Sequence, residues 1–103
     1  MTRKQFEICV AHRIYVLAES ETGERFIVDT NYIPRFNKDF VLCYFTTSPN
    51  VNIKAYLSSK NSAEFNVIRL NYLKPIALLP IGQSTNVKYI KKAYFNDKVE
   101  IRE

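Results

Sequence analysis

Residues 23–48 read GERFIVDTNYIPRFNKDFVLCYFTTS and carry most of the information about the fold. A turn leads into an apolar run that begins after Arg25, and a polar connection leads to a second apolar run that ends at Thr46, Thr47 and Ser48. If the two runs form neighbouring strands, the Arg25 cation and these hydroxyls lie close together at the strand ends. This grouping indicates a site for a phosphate backbone, although an arginine in a turn and a threonine at a strand end are also common without any function.

The chain on both sides of this stretch has the pattern of a mainly β protein. Val, Ile, Phe and Tyr are frequent, and turn-forming clusters interrupt them about every eight to twelve residues, as in a small sandwich or barrel. Residues 14–19 and 25–30 are predicted to form a hairpin in which Gly23 supplies a positive φ. Residues 40–47 are predicted to form a central strand buried on both faces, and residues 51–57 a half-exposed strand.

The last third of the chain predicts further strands and one helix. Residues 65–70 alternate less cleanly between apolar and polar side chains. Residues 73–81 contain Pro75 and Pro80, which cannot donate to a sheet ladder, so we expect two short strands with a kink at an edge or a strand end. Apolar residues three and four apart then predict a short C-terminal helix over residues 86–95.

The opening segment fits two structures. Phe6, Ile8 and Val10 alternate as in a strand, but the apolar residues also fall near helical spacing after a possible N-cap at Thr2. A strand is preferred because the residues from Ile14 onward must be extended to form the hairpin.

The composition fits a single domain over residues 1–103, with 47% apolar and 14% aromatic residues to build one core. Cys9 and Cys43 each lie inside an apolar run, which predicts buried, reduced thiols. Two cysteines and one histidine, with no CxxC pair, do not complete a zinc site without carboxylates. The sequence therefore predicts neither a metal site nor a cofactor.

The formal net charge of +5 favours an anionic partner, of which nucleic acid is the commonest. No apolar run approaches the roughly 18 residues of a membrane span, and the first residues lack the apolar block of a signal peptide. We therefore expect a soluble, cytoplasmic protein without membrane contact.

Five pieces of the chain follow one another in an order that a known family shares. They are a Gly-x-Arg turn, an apolar strand ending in Asn, an apolar strand ending in Thr-Thr-Ser, an alternating strand and a second apolar pair: GER (23–25), FIVDTN (26–31), VLCYF with TTS (41–48), VNIKAYL (51–57) and VIRL (67–70). In this order they resemble the MazF/PemK family of toxin endoribonucleases. Residues 47–49 and 70–81 also look like the related RNA-processing toxins of the ToxN type.

The resemblance implies a small SH3-like antiparallel β-barrel with one short C-terminal helix that cleaves single-stranded RNA without metal. In such enzymes the ribose 2′-hydroxyl attacks its own phosphate, and an arginine stabilises the charge that develops there. By motif position these roles fall to Arg25 and Thr47, with Ser48 as the alternate hydroxyl. The implied partners are single-stranded RNA, a cognate antitoxin (protein or RNA) and a second copy in a homo-oligomer such as a dimer.

The other candidates are cations interleaved with aromatic rings, as in proteins that stack single-stranded bases on aromatic side chains. Six residues form this nucleic-acid-binding set: Arg35, Lys54, Tyr56, Lys88, Lys91 and Lys92. In the predicted strand Lys54 and Tyr56 face outward together, and each cluster on its own also fits a solvated surface. His12 is the only side chain of a type that titrates near neutral pH, but it is far from the arginine motif in sequence.

Two other functions stay open beside the metal-independent endoribonuclease. One is a noncatalytic barrel that binds single-stranded nucleic acid. The other is a small phage or mobile-element inhibitor that binds a host protein.

Overall fold

A computed structural model describes residues 1–31, 38–48, 51–60, 64–82 and 86–102. Within these ranges the chain forms six strands and three α-helices, and a 3-10 turn at Leu70–Tyr72 links two of the strands. The strands are β1 (Ile14–Glu19), β2 (Arg25–Val28), β3 (Phe40–Thr46), β4 (Phe65–Arg69), β5 (Lys74–Pro80) and β6 (Glu100–Ile101). The helices are α1 (Arg3–Ala11), α2 (Ile53–Ser59) and α3 (Val87–Tyr94).

The six strands form one sheet in the order β4-β3-β2-β1-β5-β6. The first four strands make an antiparallel meander, β5 pairs antiparallel with β1, and β6 pairs parallel with β5. The two end strands do not pair with each other, so the sheet is open. The predicted SH3-like barrel is therefore wrong, and the fold is a mixed α/β domain rather than a mainly β one.

Helices cover the centre of both faces of the sheet. On one face, the α1/α3 layer, Phe6, Cys9, Val87 and Ile90 pack with strand residues such as Val16. None of the described helices is long and apolar enough to cross a membrane.

On the opposite face, the α2 layer, Tyr56 packs over Tyr15, Leu17, Ile27 and Leu79. Neighbouring residues of β1 alternate between the two layers, as side chains of a strand must. Because both faces of β1 are covered, all of its residues except Glu19 are buried.

The predicted hairpin is confirmed. Val16 lies opposite Val28 and Glu19 lies opposite Arg25, and Gly23 has a φ of +86° in the connecting turn. The central strand is only partly as predicted, because β3 buries alternate residues beginning at Val41 and is not buried on both faces.

The opening segment is a helix, so the preferred strand is wrong. Thr2 forms a capping box with Gln5: the Gln5 amide donates to Thr2 Oγ1 (3.1 Å), and the Thr2 amide donates to Gln5 Oε1 (2.9 Å). Phe6 and Cys9, three residues apart, are the buried positions. The chain then reverses at Arg13, which has a φ of +55°, so the helix and the extended hairpin are compatible.

Residues 53–59 form a helix, so the half-exposed strand predicted for residues 51–57 is wrong. Asn52 caps it, because its Oδ1 accepts hydrogen bonds from the amides of Lys54 (2.9 Å) and Ala55 (3.3 Å). Tyr56 is buried against the sheet, whereas Lys54 is exposed, so the two side chains do not face outward together. A seven-residue alternation is too short to distinguish strand from helix when a cap residue precedes it.

The strand β5 is continuous and lies inside the sheet, so the two short edge strands predicted for residues 73–81 are wrong. Its prolines occupy tolerant positions: Pro80 ends the strand opposite Ile14, and Pro75 lies beside a register shift opposite Ala18. The predicted C-terminal helix over residues 86–95 is confirmed as α3.

Both cysteines are fully buried and free, as predicted from their apolar neighbours. Burial raises the pKa of each thiol, Cys9 and Cys43, to about 12. Such thiols are almost entirely protonated at neutral pH, which makes them packing groups rather than nucleophiles.

Candidate functional site

The strand register brings Arg25 next to the predicted hydroxyl cluster. β2 and β3 are antiparallel neighbours in which Arg25 lies directly opposite Thr46. Directly opposed residues project to the same face of a sheet, so both side chains lie on the α2 layer. Thr47 and Ser48 follow at the end of β3 and are exposed.

Arg25 forms an ion pair with a residue that the sequence did not single out. Its Nε lies 3.6 Å from Oε2 of Glu19, the residue opposite it in the hairpin, and about two-fifths of each side chain is exposed. A pair this exposed contributes about 0–1 kcal/mol to stability. A phosphate can therefore compete for the guanidinium at little cost.

The hydroxyls next to Arg25 are not equivalent. The Ser48 amide donates to Thr46 Oγ1 (3.3 Å), which fixes the end of β3 as a local turn. Thr47 is exposed between these two residues. The register thus places Thr46 on the face of Arg25, whereas Thr47 follows the end of the strand.

A groove of about 280 Å³ lies between α2 and the β2–β3 strands, on the same face as Arg25. Its polar lining combines hydroxyl and amide groups from three segments, including Tyr44, Thr46, Ser48, Asn52, Tyr56 and Ser59. This volume is at the small end of ligand sites. Arg25 does not line the groove itself, but its opposed neighbour Thr46 does.

A buried polar cluster lies on the same layer, near the other end of β2. The Asp29 carboxylate is 3% exposed, accepts a hydrogen bond from the Asn31 amide (2.9 Å) and lies 3.8 Å from Nζ of Lys60. The Tyr15 hydroxyl accepts hydrogen bonds from Asn31 Nδ2 (2.7 Å) and Lys60 Nζ (3.4 Å). These contacts pair the buried carboxylate with a cation, as a buried charge requires.

This cluster shifts the pKa values of Tyr15 and Lys60. Burial raises the pKa of Tyr15, and the Asp29 charge raises it further. Burial lowers the pKa of Lys60, but attraction to Asp29 and the bond with Tyr15 outweigh that effect, so the pKa lies above its ordinary value. At neutral pH the Tyr15 phenol is therefore neutral, and Lys60 is charged beside Asp29.

Tyr56 packs beside this cluster, and its hydroxyl group differs from that of Tyr15. Its ring meets the rings of Tyr15 and Tyr44 edge to face, each with 5.4 Å between centroids. Its hydroxyl is buried and has no hydrogen-bond partner within the described part of the chain. Burial, and then the Asp29 charge, raise its pKa well above the ordinary value of a tyrosine.

We expect Tyr56→Phe to stabilise the protein by about 1–3 kcal/mol, because removing an unsatisfied buried hydroxyl recovers its desolvation cost. Tyr15→Phe is the matched control. It removes an acceptor of two hydrogen bonds, so it is expected to destabilise the protein by about 1 kcal/mol or more. Urea unfolding of the three proteins measures both effects, and a Tyr56→Phe protein less stable than wild type would show that the hydroxyl has a partner.

The second candidate surface is the outer side of the α1/α3 layer, here called the basic surface. The segments 1–13 and 86–95 contribute six cations to it and a single carboxylate, Glu7. The cations are Arg3, Lys4, Arg13, Lys88, Lys91 and Lys92. Tyr89 is 68% exposed among these lysines on α3.

The two helices of the basic surface are joined through Tyr94. Its carbonyl accepts a hydrogen bond from Gln5 Nε2 (2.7 Å), and its ring lies 5.7 Å from Nζ of Lys4. A shallow groove of about 220 Å³ runs between the helices and is lined by Lys4, Glu7, Ile8, Ala11 and Tyr94. These contacts bring Lys4 of α1 next to α3, on which Lys88, Tyr89 and Lys92 are exposed.

The predicted site residues fall into separate places. Arg35 lies outside the described residues, and Lys54 is exposed on α2, on the opposite side of the sheet from the basic surface. Tyr56 is buried and offers no exposed ring for stacking. Lys88 and Lys92 are exposed on α3, as expected, while Lys91 is half-buried.

His12 is not part of the arginine site. It ends α1 just before β1, whereas Glu19 ends β1, so the two are separated by the strand length of roughly 17 Å or more. Glu19 was missed, although its position relative to the turn predicts the cross-strand pair with Arg25. The Asp29–Lys60 contact had no sequence signal, because it joins residues from a strand end and a distant helix end.

Comparisons of the chain with family models, curated proteins and solved structures returned no match. The described residues contain no group of three or more histidine, cysteine or acidic side chains arranged to hold a metal ion.

Proposed function

We propose that this protein binds single-stranded RNA through the basic surface of α1 and α3. The observation that carries this proposal is the segregation of charge, since six of the chain's cations and only Glu7 among its carboxylates lie in these two segments. Lysines contact phosphates without base preference, and an exposed ring such as Tyr89 offers a stacking platform. The +5 net charge acts in the same direction.

A structural role explains part of this charge. Lys91 and Lys92 lie in the last turn of α3, where cations stabilise the helix dipole. That role does not apply to Lys88 in the first turn of α3 or to Lys4 in the first turn of α1, where cations oppose the dipole. The cations at helix N-termini therefore favour an external anion.

We expect the affinity for single-stranded RNA to fall with log salt concentration by about 0.7 per phosphate contacted. Reversing two charges with Lys88→Glu and Lys92→Glu is expected to reduce that slope by roughly 1.4 and to weaken binding to all sequences alike. The double variant Lys54→Glu with Lys74→Glu makes the same change in net charge away from the basic surface. Fluorescence anisotropy at several salt concentrations compares them, and equal losses in both double variants would contradict a localised surface.

RNA cleavage at Arg25 is a second candidate function, and the Arg25–Thr46 register with Glu19 beside it favours this proposal. In the proposed step the Glu19 carboxylate takes the proton of the ribose 2′-hydroxyl. The 2′-oxygen then bonds to phosphorus, the bond from phosphorus to the 5′-oxygen breaks, and water protonates the departing oxygen. Arg25 stabilises the extra negative charge of the transition state, and Thr47 contacts a phosphate oxygen.

Digestion of single-stranded RNA in EDTA tests this second candidate. The expected products carry a 2′,3′-cyclic phosphate and a 5′-hydroxyl. A protein with this activity is expected to require a cognate antitoxin in its host. Absence of products would reject cleavage and leave the binding proposal in place, because the basic surface and Arg25 lie on opposite faces of the sheet.

A further inference from the structure

The edge strand β4 directs a regular set of backbone groups outward. Two hydrogen bonds fix the pattern: the Asp29 amide donates to the Leu42 carbonyl (2.9 Å), and the Leu70 amide donates to the Asp39 carbonyl (2.7 Å). In an antiparallel ladder the bonded pairs alternate with non-bonded pairs. Together with the registers of β3, these bonds show that the even-numbered residues of β4 point their backbone N–H and C=O groups toward β3.

The odd-numbered residues of β4 therefore point their N–H and C=O groups away from the sheet. These residues are Phe65, Val67 and Arg69, and β4 is the last strand on its side of the described sheet. Unpaired backbone groups on an edge strand are a template for another strand.

The side chains of the same three residues lie together on the α2 layer, because they oppose Tyr44, Leu42 and Phe40 of β3. Phe65 is 62% exposed and Val67 is 55% exposed. Helix α2 covers the centre of this face around Tyr15 and does not bury β4. Exposed apolar side chains thus coincide on one edge with outward backbone groups that no described strand pairs.

We propose that this edge binds a second copy of the same chain, with the two β4 strands antiparallel about a two-fold axis at Val67. In this register Val67 opposes its own counterpart, and Phe65 opposes Arg69 of the second copy. All three residues of each strand present outward backbone groups, so the register forms six hydrogen bonds. A slip by one residue would oppose side chains from different faces and break this match.

The strand is chemically complementary to itself in this register. The central contact joins two valines, and each end joins a phenylalanine ring to an arginine. The Arg69 guanidinium already lies 5.2 Å from the centroid of Phe40 on its own sheet. In the dimer it lies between that ring and Phe65 of the second copy, a favourable position for a cation. This self-complementarity favours a second copy over an unrelated partner strand.

Sedimentation velocity across a concentration range tests the proposal, with wild type expected to dimerise. Val67→Pro is the first variant, because the Val67 amide is not used in the bond pattern with β3 but is required by the second copy. It is expected to be monomeric at concentrations where wild type is a dimer, with an unchanged circular dichroism spectrum. A folded Val67→Pro protein that dimerises as wild type does would overturn the proposal, as would a wild-type protein that stays monomeric.

A charge pair keeps the test decisive if the proline variant fails to fold. Val67→Lys and Val67→Glu each place like charges opposite each other at the axis, so each alone is expected to weaken dimerisation by roughly tenfold or more. An equimolar mixture is expected to restore a dimer that contains one of each. If each variant dimerises as strongly alone as in the mixture, the two-fold axis at Val67 is wrong.

Discussion

Replacing Arg25 with alanine is expected to slow cleavage of single-stranded RNA by about 100-fold or more. A preorganised donor to a developing oxyanion is typically worth that much in rate. The fold should tolerate the change, because Arg25 is partly exposed and its ion pair with Glu19 contributes about 0–1 kcal/mol. Single-turnover cleavage in EDTA, with urea unfolding of the same samples, separates the loss of chemistry from a loss of structure.

Three further variants define what the arginine does. Arg25→Lys keeps the charge but not the planar pair of donors, so an intermediate rate is expected. Thr47→Ala removes one neutral contact and is expected to cost roughly tenfold or less. Arg102→Ala removes another arginine that is paired with a glutamate, 3.0 Å from Glu100 near the other edge of the sheet, and should cleave as wild type does. Equal cleavage by Arg25→Ala and wild type would reject the assignment.

The sequence predicted the hairpin and the neighbouring strand well, because local signals determine both. Gly23 provides the turn, and apolar runs of suitable length flank it on both sides. The same signals predicted that Arg25 and the hydroxyls at the end of the next strand come together. The register places Thr46 opposite Arg25, whereas the roles predicted for Thr47 and Ser48 stay predictions.

The sequence did not predict the open sheet, because closure depends on contacts between distant segments. Whether the segments of α1 and α2 form helices or strands decides between an open sheet and a barrel. With seven to nine residues each, their apolar positions fit the strand period nearly as well as the helical period. The side chains that cap them, Thr2 and Asn52, carried the deciding signal. Because helices cover the centre of both faces, most of the apolar surface that closure would bury is already covered.

The buried cluster around Asp29 shows a second limit of prediction from sequence. Asp29, Tyr15 and Lys60 are separated in sequence by a turn, a loop and a helix, and no spacing rule connects them. Their contact forms because Asp29, at the end of β2, projects to the face of the sheet that α2 covers. Local patterns can predict a pair across a hairpin such as Glu19–Arg25, but they cannot predict a pair between a strand end and a distant helix end.

Replacing Phe6 with alanine is expected to destabilise the protein by about 3–5 kcal/mol, the largest single effect on folding that we predict. Phe6 is fully buried where α1 packs on the sheet, and its removal leaves a cavity bounded by strands that cannot collapse freely. A loss of this size is a large share of the about 5–15 kcal/mol that stabilises a typical domain. Urea unfolding followed by circular dichroism measures it.

A matched pair of variants tests whether this segment is the helix α1. In the helix Cys9 shares the buried side with Phe6, whereas Val10 is only half-buried. In a strand Phe6 and Val10 would share the buried face, and Cys9 would project from the other. Cys9→Asn is therefore expected to cost about 1–3 kcal/mol more than Val10→Asn, because only the first buries an amide without partners. A Val10→Asn protein that is the less stable of the two would contradict the helix and restore the strand.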